Sequence, residues 1–109
     1  MLSDKLRGYL GFAARSRNLQ SGYNTGLYLI GKRKAKLVIV SEEAAEGTRE
    51  KVAGKARAQN IRCIVFGESE ELSKSTGTGS GMVFTITDRH FAEIISREID
   101  RIRSEGENS

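Results

Sequence analysis

Three kinds of residue that can do chemistry lie close together in residues 21–46, SGYNTGLYLIGKRKAKLVIVSEEAAE. Gly22 can supply a turn or a close backbone approach. Asn24 sits where a helix should start and offers an amide that both donates and accepts hydrogen bonds. Lys32, Arg33, Lys34 and Lys36 fall within five positions at the far end of that helix, directly ahead of the apolar run Leu37, Val38, Ile39, Val40. An amide beside a row of cations suits hydrogen bonding and phosphate neutralisation, and the combination reads as an RNA-binding edge.

A second segment, STGTGSG at residues 75–81, alternates glycine with small polar residues, so its backbone amides can face an anion or a stacked base. It is not a nucleotide motif. A phosphate loop needs Gly-Lys before Ser or Thr at a helix start, and the dinucleotide fingerprint follows a strand, whereas this segment leads into one. A plain loop joining helix to strand is the alternative. Bond-making chemistry has little to draw on: one histidine, His90, in the first turn of a helix, and one cysteine, Cys63, in an apolar run with no base beside it. Glu42 and Glu43 read as a solvated connection after a strand rather than an acid–base pair. With no metal-ligand spacing, neither catalysis nor a metal or cofactor is expected.

The elements that must hold these groups follow from periodicity. Leu2, Leu6, Tyr9, Leu10 and Ala13 recur at helical spacing with Ser3 as a cap, and a very short extended piece around Leu19 and Gln20 precedes the Gly22 turn. The second helix is expected over 24–32 with Leu27 and Ile30 inward, and the strand over 37–40 reads as covered on both faces. A helix over 48–59 turns Val52, Ala53 and Ala56 inward, a strand spans 61–66, a short helix 68–76 and another strand 82–87. From Asp88, a good cap, Phe91, Ile94, Ile95, Ile99 and Ile102 trace a long last helix, with a polar tail at 104–109 expected to fray. Strands alternating with helices of this length imply an α/β fold with helices on both faces of a small sheet.

With 109 residues the chain has the size of a single domain. Net charge is +4, but residues 1–36 hold eight Lys or Arg against the single acid Asp4, while the remainder carries ten basic and thirteen acidic groups. A basic first third on a nearly balanced body fits a polyanion-binding face, the plain alternative being a solvated surface. A lone cysteine points to a reducing compartment. Neither a signal peptide nor an apolar run long enough to span a membrane is present, so a soluble cytoplasmic protein is expected.

The order helix, SGYN turn, helix, KAKLVIVSEEA, helix, NIRCIVFG, ELSKSTGTGSG, strand, TDRHFAEII resembles the kink-turn RNA-binding ribosomal-protein family of large-subunit type, within it the bacterial YlxQ-like branch, from about residue 6 to residue 99. The resemblance implies a three-layer α/β/α sandwich around a small central mixed sheet of about four strands. It also implies an RNA-binding edge made by residues 22–28 and by the loop Thr78, Gly79, Ser80. Gly22 and Asn24 match the family's Gly-x-Asn-Glu motif and Lys32 its basic position, while Thr25 stands where the glutamate would be and Tyr28 where a lysine would be. Tyr23 and Tyr28 offer stacking faces, and Arg15, Arg17 and Lys32 an electrostatic contribution. The implied protein is a non-catalytic monomer that docks structured RNA, a kink-turn or internal loop, ribosomal RNA or the ribosome included. The alternative is a protein-interaction or ribosome-assembly module that keeps the fold without specific RNA recognition.

Overall fold

The computed structural model describes residues 2–107. Ser3 caps the first helix as its residue type predicts: its hydroxyl accepts from the Leu6 N–H at 3.1 Å, and α1 runs Asp4–Arg15. There follow β1 (Leu19–Ser21), α2 (Tyr23–Gly31), β2 (Leu37–Val40), α3 (Glu46–Ala58), β3 (Arg62–Val65), α4 (Ser69–Thr76), β4 (Val83–Ile86) and α5 (Arg89–Glu107). The four strands form one mixed sheet in the order β1-β4-β2-β3. β2 and β3 are parallel across the α3 crossover, while β4 runs antiparallel to both β1 and β2.

Alternation along the strands divides the core in two. Leu37, Ile39, Ile64, Phe84 and Ile86 pack with Leu6 and Leu10 of α1, Leu72 of α4, and Ile95 and Ile99 of α5. Val38, Val40 and Val83 pack with Leu29 and Ile30 of α2 and Val52 and Ala56 of α3. The α/β sandwich expected from the sequence is therefore the fold. Burying each such aliphatic side chain contributes roughly 1.5–3 kcal/mol, so the doubly covered β2 is the keystone of both layers.

Three details differ from the sequence expectation. Helix α2 begins at Tyr23 with Gly22 as its N-cap, because Gly22 takes φ 124°, a backbone that side-chain-bearing residues avoid, and the turn closes one residue early. Asn24 thus lies inside the first turn and caps nothing. Helix α3 starts at Glu46 rather than 48. Residues 104–107 continue α5, supported by the Arg101–Glu105 pair one turn apart, while residues 108 and 109 lie outside the described residues.

Candidate nucleic-acid interface

The two glycine segments singled out in the sequence are neighbours. The Gly22 N–H donates to the Val83 carbonyl at 2.8 Å, and Gly81 lies against the Ser21 side chain, so the start of α2 and the loop before β4 form one edge. That loop is pinned at both ends. The N–H groups of Gly77 and Thr78 both donate to the Ser73 carbonyl at the end of α4, and the Ser69 hydroxyl donates to the Gly81 carbonyl at 2.7 Å. Thr78 is half-buried, its hydroxyl 2.9 Å from that of Thr76, which leaves Gly79 and Ser80 as the exposed tip.

Helix α2 is laid close onto the sheet at Gly26, where even a Cβ would stand 2.9 Å from Val83 Cγ1 and 3.1 Å from Thr85 Oγ1. This approach fixes which residues face outward. Asn24, Tyr28 and Lys32, spaced four apart, all lie exposed and share one stripe of the helix. Tyr28 is 57% exposed, with the Lys32 ammonium 5.8 Å from its ring centre. The Asn24 amide has no partner among the described residues. No side chain caps α2, so the first N–H groups of the helix have no side-chain partner among the described residues, a geometry that favours anions and hydrogen-bond acceptors.

The remaining sequence candidates are distributed unevenly. Tyr23 is half-buried and packs on the core cluster beneath α2 and α3, so Tyr28 is the better stacking face of the two. Thr25 is half-buried beside Gly22. Arg15 is exposed, folds back over α1 toward the Ser75 carbonyl at the end of α4, and stacks its guanidinium 4.8 Å from the Phe12 ring centre. Arg17 stands at the other end of β1 from Gly22, beside Asn18, whose carbonyl accepts from the Thr87 N–H, roughly 13 Å away along the strand.

Two exposed apolar side chains, one in the last turn of α1 and one beside the glycine loop, were missed in the sequence. Phe12 is 60% exposed and Met82, at the base of the glycine loop, is 40% exposed. Phe12 was legible, because it falls off the apolar stripe of α1. Met82 was not, because it sits at a strand margin where apolar residues are ordinary.

Other groups weighed for chemistry have structural work. Glu42 accepts from the Gly67 N–H at 2.8 Å and Glu43 from the Ser69 N–H at 2.7 Å, so the acid pair holds the turn into α4 and supplies its N-terminus with a carboxylate. Burial pushes the Cys63 thiol up, with Arg57 opposing, which disfavours the thiolate. His90 is exposed at the start of α5. Among the described residues no three side chains form a metal-binding group, and no helix is long and apolar enough to cross a membrane.

Electrostatic pairing is concentrated on the opposite layer. Glu98 is buried and held at about 2 by its hydrogen bonds with Arg101, aided by the Ser3 hydroxyl, which donates to it at 2.7 Å. Arg62 holds Asp100 below the usual carboxylate range. By contrast, Arg15, Arg17, Lys32, Arg33, Lys34 and Lys36 form no ion pair among the described residues.

An α/β/α domain with an uncapped helix N-terminus beside a glycine loop, and with unpaired cations at the far end of that helix, has the architecture of the ribosomal kink-turn class anticipated from the residue order. Residues 4–95 match the Ribosomal protein L7Ae/L30e/S12e/Gadd45 family, and the chain belongs to it. Among individual proteins it is 30% identical over 91 residues to the RNA-binding protein YlxQ of Bacillus subtilis (strain 168), covering 84% of this chain and 91% of that one. It is likewise 30% identical over 89 residues to the YlxQ protein of Enterococcus faecium, covering 82% and 85%. A solved protein of unknown function from Bacillus halodurans superposes with a TM-score of 0.86 at 28% identity over 90% of this chain and 99% of that one. The 15.5kD RNA binding protein of Giardia lamblia, at 13% identity, shares the fold, with a TM-score of 0.71 over 95% and 92% of the two chains.

Proposed function

We propose that this protein is a non-catalytic RNA-binding protein that docks structured RNA, a kink-turn or internal loop, against the edge formed by α2 and the loop before β4. The observation that carries the reading is the juxtaposition of the free Asn24 amide and the uncapped α2 N-terminus with the Gly79–Ser80 tip, flanked by the exposed Tyr28 and the unpaired Lys32. Asn24 reads a base edge, the α2 amides and Lys32 take phosphate or carbonyl oxygens, and Tyr28 stacks an unpaired base. Thr25 and Tyr28, in place of the family's glutamate and lysine, shift the balance from base-edge hydrogen bonds toward shape, stacking and phosphate contact. Arg15 adds to the field near the loop. The protein acts as a monomer in the cytoplasm, with ribosomal RNA among its targets.

Asn24→Ala combined with Lys32→Ala tests this reading, because both side chains are exposed and the fold does not need them. Affinity for an internally looped RNA should fall tenfold or more at an unchanged melting temperature. Undiminished affinity in the folded double variant would reject the edge. A protein that binds no RNA but captures a protein partner would point to an interaction module instead.

A further inference from the structure

The pairing of Leu19 with Ile86, Ile86 with Leu37, and Leu37 with Arg62 places these four residues in one row across the sheet. Three helix-to-strand turns and the start of α5 therefore meet at this end of the molecule. The turns after α1, α2 and α3 share one geometry. In each, the residue two beyond the helix takes a left-handed backbone and the following N–H returns to the last helical turn: Asn18 to Ala13, Lys34 to Leu29, Ile61 to Ala56. Glycine, or asparagine, is the residue that fits such a position. Asn60 (φ 57°) fills the third turn, but Arg17 (φ 64°) and Arg33 (φ 61°) fill the first two.

Arginine at a left-handed position is unfavourable by steric rule. The helix dipole explains a cation near a helix C-terminus, yet Arg15 and Lys32 collect that gain with ordinary backbone angles. It does not explain why the left-handed position itself carries the charge. Exposed Lys34, Lys36 and Arg89 stand at the same end. Among the described residues none of the five cations Arg17, Arg33, Lys34, Lys36 and Arg89 forms an ion pair. Of the neighbouring acids, Asp88 accepts from the Phe91 N–H and Asp100 is paired with Arg62, leaving Glu93 beside Arg89. A cleft of about 400 Å³ opens between the α2–β2 and α3–β3 turns, lined by Arg33, Lys36, Gln59 and Asn60.

We infer that this end of the sheet is a second, sequence-independent surface for RNA phosphates. It lies beyond Lys32, one α2 length of about 14 Å from the Asn24 edge, and it takes the backbone of the helical stem that continues from the bound loop. This rests on the RNA-binding reading above. Arginine is placed where the backbone pays for it because a guanidinium projecting from a rigid turn meets phosphate with little further ordering.

The test compares two RNAs that share one internal loop, the first with minimal stems and the second with a stem about one helical turn longer, titrated across a range of salt concentrations. The variant carries Arg17→Gly, Arg33→Gly and Lys34→Gln. Glycine relaxes both left-handed turns, so the variant should melt at or above the wild-type temperature. It should lose about tenfold in affinity, with a salt dependence flatter by about two to three, on the long-stemmed RNA only. Equal losses on both RNAs, or no loss on either, would overturn the second surface while leaving the edge intact. Failure of the wild-type protein to bind either RNA would instead overturn the RNA-binding reading on which it rests.

Discussion

Helices α2 and α5 lie on opposite faces of one sheet and treat their ends in opposite ways. At α5, Asp88 accepts the Phe91 N–H at 2.8 Å, Arg101 is held between Glu98 and Glu105, and Asp100 takes Arg62 from the edge of the sheet. At α2 the N-terminus has no side-chain cap, and the cations that follow its last turn have no ionic partner among the described residues. The contrast separates charge that is paired within the fold from charge that is left without an ionic partner among the described residues. Helix α2 is held instead by burial of Leu29 and Ile30 and by the approach of Gly26 to β4, which leaves its outward stripe and both ends free.

The largest change should come from breaking that approach. Gly26→Val forces side-chain atoms into Val83 and Thr85, and overpacking of this kind costs about 1–3 kcal/mol. Denaturant unfolding should register the loss, with RNA affinity falling in parallel as α2 shifts. Thr25→Glu together with Tyr28→Lys sharpens the contrast in the other direction, by restoring an acceptor and an ammonium to the edge. Preference for a kink-turn over a plain duplex should rise by tenfold or more, since each such contact is worth about 1–3 kcal/mol. A falling ratio in competition binding would mean that the stacking face of Tyr28 matters more than the restored contacts.

On the structural side, Glu98→Gln should cost about 1–2 kcal/mol at neutral pH, because a buried carboxylate that joins α5 to Ser3 loses its charge, and RNA affinity should not change. The pH dependence follows with a definite sign. A carboxyl held at about 2 in the folded protein, against an ordinary value of 4.5, contributes stability that is fully present above about pH 4.5 and lost as pH falls toward 2. Unfolding measured between pH 5 and 2.5 should be flatter in the Gln variant. The smallest effect belongs to Lys32→Ala alone: stability within about 0.5 kcal/mol of wild type, and a salt dependence of RNA binding flatter by about one.

Much of this contrast was legible in the sequence where a residue type has one dominant local use. Ser3 and Asp88 read as caps and are caps. The apolar run at β2 reads as doubly covered, and each of its residues is buried. What escaped depended on backbone geometry or on partners far along the chain. The sequence pattern places Asn24 at the start of the helix, but Gly22 closes the turn first, so Asn24 lies inside the first turn with its amide exposed. Glu42 and Glu43 find their backbone partners 25 and 26 residues away, which no local pattern records. Arg17 and Arg33 occupy turns whose usual glycine would have announced them. Tyr23 and Tyr28 looked equivalent, and only the orientation of α2 on β4 buries one and exposes the other.

Titration of a labelled kink-turn RNA beside a plain duplex of the same length, at two salt concentrations, bears most directly on the central claim. If Asn24, the α2 amides and the Gly79–Ser80 tip recognise a shape that a duplex lacks, as proposed, binding to the kink-turn should be tighter and should persist at the higher salt. Equal binding to both RNAs, erased together by salt, would contradict the proposal and leave the α2 edge as a purely electrostatic surface.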